Sequence, residues 1–336
     1  MNSMDFSVQK SLIDTLERLC PKNVSLADLL ADLLKISKDS AYRRIRGEKI
    51  IDLNELVLIS NHFKLSLDGM LGLTTSSVVF DYDSIKHIAD YKRYLQSIID
   101  DLNLLARHED VRLIYASQDI PLYHYFYSEP LARFKFFYWL RSIVNVKEFQ
   151  NKPFQEQDID EDLLALGKEL YNVYTRVPSE EIWTEITPVS LYKQVEFCWS
   201  SGLFVDKTQA LYVCDEIKQT FNRLEQQAKT GIKIDAMGNP SGFKKNYRLY
   251  LSEIEIGNNC ILTQVGDHQS IYLTFNTFNK IVTANNFFSE EVYKWLSNLI
   301  SKSTPISEVS EKHRYQFFKK LHKGIDEVKM RIEQDD

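Results

Sequence analysis

From Leu12 to Leu71 apolar residues recur every three or four positions, and proline, glycine and capping residues break the recurrence at short intervals. Such a pattern specifies short helices joined by tight turns, because the helical period never runs far before it is interrupted. Leu12, Leu16 and Leu19 mark a first helix, ended by Cys20 and Pro21. Ser25 is placed to cap a second, with apolar residues at 26, 29, 30, 33 and 34. Ser37 is placed to cap a third over 38–46, which stops at Gly47. Asp52, with Glu55 three residues on, forms a capping-box-like pair at the head of a fourth. The stretch 64–71 closes a five-helix domain over residues 1–73, and 74–84 reads as a linker.

The 336 residues carry a net charge of −6, which argues against a basic nucleic-acid binder as a description of the whole chain. The charge is unevenly spread. Lys35, Lys38, Arg43, Arg44, Arg46 and Lys49 face only Asp39 and Glu48 within residues 35–49, so this stretch is +4 and the remaining 321 residues carry −10. A +4 stretch on a small helix suits phosphate contact, and the N-terminal end of such a helix can reach base edges in the major groove.

The order of elements within 26–71 resembles the helix-turn-helix domain of the lambda-repressor/Cro-like (XRE-like) regulators. The resemblance lies in an apolar helix, then Lys35-Ile36-Ser37, a recognition helix ending in Arg46-Gly47, a helix with Leu-x-x-Leu spacing, and the closing Leu-Ser-Leu-Asp-x-x-Leu. The form SAYRRIRGEK looks like the variant common in Bacteroidetes regulators, sometimes called BetR-like. The sequence departs from the commonest repressor form at Ile45, where many members carry an acidic residue. Beyond residue 80, the stretches DIPLYHYF, LARFKFFYWL, PSEEIW and PISEVSEKHRYQFF look like the long C-terminal part of the same regulators, which implies a shared architecture and supplies no mechanism.

Ala41 and Ile45, four apart, are expected to face the second helix. Lys38, Ser40, Tyr42 and Arg43 on the opposite face are expected to make mainly base or sugar contacts, and Arg44, Arg46 and Lys49 mainly phosphate contacts.

Residues 85–230 read as a helical, aromatic-rich middle region. Ile88, Tyr91, Leu95, Ile98, Leu102 and Leu105 are spaced 3-4-3-4-3, which marks a long helix, either packed in its own domain or used for self-association. Ten aromatics between Tyr115 and Trp139 either fill a core or line a pocket for an apolar or planar ligand. Ser128 and Pro130 start a helix over 131–144, and further helices are expected near 160–175, 188–200 and 207–229. Residues 231–336 read as an α+β region, with strands at 247–251, 253–256, 260–265, 270–275 and 280–283 in an antiparallel meander, then helices from Ser289 and Ser307. The fold class expected is therefore mostly α, with a lambda-repressor-like bundle at the N-terminus and an α+β unit at the C-terminus.

Four scattered cysteines form no C-x-x-C pair, the seven histidines show no metal-ligand spacing, and no P-loop, G-x-G-x-x-G or G-x-S-x-G occurs. These readings imply no catalytic residues, metal or cofactor. With no secretory leader and no long apolar run, the expected location is the cytoplasm. The leading expectation is a sequence-specific transcriptional regulator that binds double-stranded DNA as a homodimer, its C-terminal region serving as a sensing or oligomerisation module for a small-molecule or protein effector. The alternatives are an enzyme or ligand-processing domain in 110–336 tethered to DNA, and a protein-interaction module that does not bind DNA.

Overall fold

The computed structural model describes residues 3–21, 24–63, 65, 78–150, 152–241, 244–277 and 279–335, with side chains from Val8 onward. The expected fifth helix at 64–71, apart from Leu65, and residues 74–77 of the expected 74–84 linker lie outside the described residues. The chain divides into two compact units. The smaller comprises 1–81 with 266–271 and 282–292, and the larger comprises the remainder.

In the smaller unit, helices α1 (Ser3–Leu19), α2 (Leu26–Leu34), α3 (Lys38–Ile45) and α4 (Leu53–Phe63) enclose a core of Leu12, Leu16, Leu26, Ala27, Leu30, Ala41 and Ile59. Ala41 is fully buried where α3 meets α2, so the small side chain allows the close approach that its position implied. The caps follow the sequence with one exception. The Ser37 hydroxyl accepts the Ser40 N–H at 3.2 Å, Asp52 Oδ1 accepts the Glu55 N–H at 2.9 Å, and Glu55 Oε2 accepts the Asp52 N–H at 3.3 Å. Ser25 enters α2 in extended conformation but its hydroxyl makes no capping bond; Asp28 supplies the negative charge that the first turn favours. Two left-handed residues make the turns around α3: Lys35 at φ 52° ends α2, and Gly47 at φ 74° ends α3.

Strands and flanking helices make up the rest of the described structure. An eight-stranded sheet runs in the order β1-β7-β6-β5-β2-β3-β4-β8, with β1 Asp81–Tyr82, β2 Val111–Ala116, β3 Ser179–Trp183, β4 Tyr247–Leu251, β5 Cys260–Val265, β6 His268–Phe275, β7 Asn279–Thr283 and β8 Thr304–Pro305. The helices are α5 (Ile88–Ala106), α6 (Glu129–Ser142), α7 (Glu161–Tyr174), α8 (Val189–Ser200), α9 (Lys207–Thr230), α10 (Asn286–Ser301) and α11 (Glu311–Gln334). Strands β2, β3 and β4 are parallel, with Tyr115 opposite Glu181 and Glu181 opposite Leu249. Parallel neighbours need long crossovers, and these are α6 with α7 between β2 and β3, and α8 with α9 between β3 and β4. Antiparallel β5 and β8 flank the parallel core, pairing with β2 and β4.

This mixed α/β architecture corrects two expectations. The middle region is not wholly helical, because it contributes β2 and β3. The strands after residue 246 do not form a simple meander: β5, β6 and β7 are neighbours in chain order, but β2 and β3 stand between β4 and β5, and 253–256 is not a strand. The physical reason lies in β3. All five of its residues are buried, as is usual for a strand covered on both faces, so it shows no alternation for a period-two reading to find.

Elsewhere helix starts behave as expected. Ser128 accepts the Leu131 N–H at 3.2 Å ahead of α6, Asp160 caps α7, Asp206 caps α9, and Gly231 at φ 68° ends α9. No described helix is long and apolar enough to cross a membrane. The 3-4-3-4-3 stripe of α5 is core: Tyr91, Leu95, Ile98, Leu102 and Leu105 are buried and α5 packs on α7. The stripe is therefore spent on packing within its own unit and is not a self-association seam. Leu95→Ala is expected to lower stability by about 2–5 kcal/mol in urea unfolding while leaving the sedimentation mass unchanged. A change of mass at preserved stability would return the stripe to an interface.

Candidate functional site

Helix α3 separates its side chains into an anchoring face and an exposed face. Arg44 lies three residues beyond buried Ala41, and it turns inward. Its guanidinium forms a two-pronged pair with Glu55 (Nε–Oε2 2.8 Å), while Nη1 donates to the Ser40 hydroxyl at 2.7 Å and to the Ser40 carbonyl at 3.1 Å. The Arg44 side chain is only 2% exposed. Arg44 is therefore a strut between α3 and α4 and is not available to a phosphate, which corrects the sequence expectation. The helical spacing from Ala41 was the signal that placed it inside.

The other expected site residues, Ser40 apart, remain outside. Tyr42 and Arg43 are exposed, with Glu48 3.9 Å from Arg43. Arg46 meets the same Glu48 through Nε at 2.6 Å and Nη2 at 3.0 Å, and Lys38 meets Asp28 at 2.6 Å. Hydrogen bonds from these partners hold the Glu48 carboxyl below, and the Lys38 ammonium above, their ordinary values. Exposed pairs of this kind are weak and can be exchanged for a competing anion. Lys49 is exposed, while its carbonyl accepts from Gln9 Nε2 at 2.9 Å. Ser40 is half-buried, its oxygen engaged by Arg44. The structure thus brings Lys38, Tyr42, Arg43, Arg46 and Lys49 to the outside of one short segment and withdraws Arg44.

Two buried polar groupings in the larger unit escape the sequence. Successive residues of β3 point to opposite faces, so Glu180 and Glu181 serve different networks. Glu180 meets Arg112 Nε at 2.6 Å and accepts from the Tyr250 hydroxyl at 3.2 Å. Glu181 is completely buried and is met by His124 Nε2 at 2.9 Å, Trp183 Nε1 at 2.9 Å, and the hydroxyls of Tyr247 at 3.1 Å and of Tyr174. Burial alone would push the Glu181 carboxyl up. The charge and hydrogen bond of His124, the Tyr174 hydroxyl and the nearby Lys233 outweigh it and hold the carboxyl below the ordinary range. Lys233 is itself fully buried, its ammonium bonded to the Tyr174 carbonyl at 3.0 Å and the Val177 carbonyl at 2.6 Å. His124 and Glu181 are 57 positions apart, which explains why no motif could reveal them.

The second grouping lines a cavity of about 80 Å³ in the larger unit. Lys135, on α6, is 1% exposed, with its ammonium 4.1 Å from the Tyr125 ring centre and 4.6 Å from that of Trp139, and bonded to Gln194 Oε1 on α8. Burial pulls its pKa from the ordinary 10.5 down to about 7, with Asp119 opposing the shift. The aromatic run is therefore both core and cavity wall: Tyr115, Tyr123, Tyr125 and Trp139 line the space, while Phe126, Phe134, Phe136 and Phe137 pack the interior. The available signal was a single lysine inside LARFKFFYWL, on a helix whose neighbouring positions are almost all buried. Cys198 and Cys214 are buried, and burial raises both thiols to about 12, so they behave as small apolar groups. Among the described residues no group of three or more His, Cys, Asp or Glu side chains could hold a metal ion.

Comparison with family models, with curated proteins and with solved structures gave no match to the chain.

Arg44→Ala is expected to destabilise the smaller unit by about 3–5 kcal/mol, because it strands Glu55. Arg43→Ala is expected to stay within about 0.5 kcal/mol. Hydrogen exchange of α2–α4 amides in the full chain separates them, and equal protection in both variants would contradict the strut. For Lys135 the folded chain releases its proton near pH 7 and the unfolded chain near 10.5, so stability rises with pH between those values. Urea unfolding at pH 6.5 and 9.5 should show this rise in the wild type relative to Lys135→Met; parallel curves would contradict it.

Proposed function

We propose that the chain is a sequence-specific DNA-binding transcriptional regulator in which α2 and α3 act as a lambda-repressor-like helix-turn-helix and the larger unit acts as a sensing or assembly module. The observation that carries the reading is the division of labour on α3. Ala41 and Arg44 fasten the helix to α2 and α4, while Tyr42 and Arg43 are left on its exposed side. A three-residue connection, Lys35 to Ser37, joins α2 to α3, and the turn is set by the left-handed Lys35. Short connection, anchored second helix and exposed basic face are what a helix needs to enter a major groove as a rigid body.

In this reading Tyr42 and Arg43 reach base edges or sugar. Arg46 and Lys49 meet phosphates, Arg46 after exchanging Glu48 for the backbone, and Lys38 does the same from Asp28 at the start of the helix. Ser40 keeps a hydroxyl proton to donate, since its oxygen accepts from Arg44. Readers of this class engage paired half-sites as dimers, so a homodimer is part of the proposal. The contact is not assigned to α5, whose apolar stripe is already buried.

If a dimer neutralises about six phosphates, its affinity for duplex should fall roughly a thousandfold between about 50 and 200 mM salt. Arg43→Ala should weaken binding to the cognate site by about 1–3 kcal/mol and to random duplex by less. Fluorescence anisotropy on both duplexes decides the matter. Equal losses would make Arg43 a phosphate contact, and salt-independent binding or none would remove DNA as the partner.

A further inference from the structure

The cavity of the larger unit has an unusual balance of charge. Two of the lysines that line it are Lys280 and Lys135. Lys280 already has a carboxylate, Asp101, at 3.2 Å. Among the described residues, no carboxylate oxygen lies within ion-pair distance of Lys135; its ammonium is bonded to Gln194, lies over the faces of Tyr125 and Trp139, and is 5.9 Å from the ring centre of Tyr138. Buried charges in proteins are normally paired, and a cation between two aromatic rings is favoured without being neutralised. The position that a counter-ion would take is therefore open to the cavity.

The rest of the lining sets what that counter-ion can be. Ile98, Leu102, Leu113, Leu122 and Ile261 bring apolar surface, and the aromatic walls add flat faces. At roughly 30 Å³ for each water molecule, about 80 Å³ is worth two or three of them, about half of a cavity that takes benzene and the scale of a short aliphatic molecule. With one unpaired cation and the nearby acid Asp119, a phosphate dianion would lack partners, whereas a monoanion would complete the pair.

We propose that this cavity is a binding site for a small carboxylic acid with an apolar body, its carboxylate held by the Lys135 ammonium between Tyr125 and Trp139 and its body against the leucine and isoleucine wall. Lys135 and Gln194, from α6 and α8, orient the head. Asp119 faces the same space and limits the site to a single negative charge. That such an acid is the effector of the sensing module rests on the regulator reading; binding itself does not, and it is measured without DNA.

The test is isothermal titration of the full chain with propionate and with 1-propanol, which share a short alkyl body and differ in the charged head. Propionate should bind at least about tenfold more tightly, the margin expected of a charge-assisted contact in a desolvated site. Lys135→Met should lose that preference while still binding the alcohol. Asp119→Asn should bind the acid several-fold more tightly, and this variant decides the question if Lys135→Met does not fold. No binding of the acid by the folded wild type, equal affinity for acid and alcohol, a preference retained in Lys135→Met, or an unchanged acid affinity in Asp119→Asn would each overturn the proposal. Acid binding with no effect on duplex affinity would leave the site intact and remove only its role as effector site.

Discussion

A carboxylate taken out of water must be met by donors, and both units are organised around one that is. Glu181, in the middle of β3, is met by side chains from the 3₁₀ turn at 122–126, from α7, from β4 and from β3 itself. Each of those donors is buried, and each would be stranded if the others moved. The network therefore ties the 3₁₀ turn and the crossover helix α7 to β3 and β4. Glu55 does the same on a smaller scale, joining the cap of α4 to the guanidinium of Arg44 and so tying α3 in place. Tyr42 and Arg43 face outward because Arg44 faces inward.

The two units use charge in opposite ways. The smaller one spends one arginine on its interior and displays the remaining basic groups, partly held by Asp28 and Glu48. The larger one encloses its unusual cations. Lys233 is satisfied by carbonyls, and Lys135 is held by rings and an amide beside open space. A regulator built this way would carry its attraction for phosphates on α3 while an acidic remainder discourages loose association with DNA.

Much of the helical content was legible because it obeys local rules. Ser37, Asp52, Ser128, Asp160 and Asp206 cap where capping residues should, and Gly47 and Gly231 stop helices with left-handed backbone. What could not be read depends on residues far apart in the chain. Strand β3 is written Ser-Glu-Glu-Ile-Trp, which has neither alternation nor an apolar run, and its two carboxylates take partners as far as 57 to 70 positions away. The order of the sheet was hidden for the same reason, since two parallel crossovers insert β2 and β3 beside strands that follow much later. Among the site residues, exposure of Tyr42 and Arg43 followed from the helical period. The inward turn of Arg44 also followed from that period once Ala41 was placed in the core, but a run of arginines invites a surface reading. Lys135 was visible only as a lone charge on an apolar helix, and its cavity depends on α5, α8 and β5 as well.

Duplex selection from a random library by the purified full chain bears most directly on the regulator reading. Enrichment of a palindromic motif, with half-sites about one helical turn apart or a multiple of it, is the expected result. A selected pool indistinguishable from the input would contradict it.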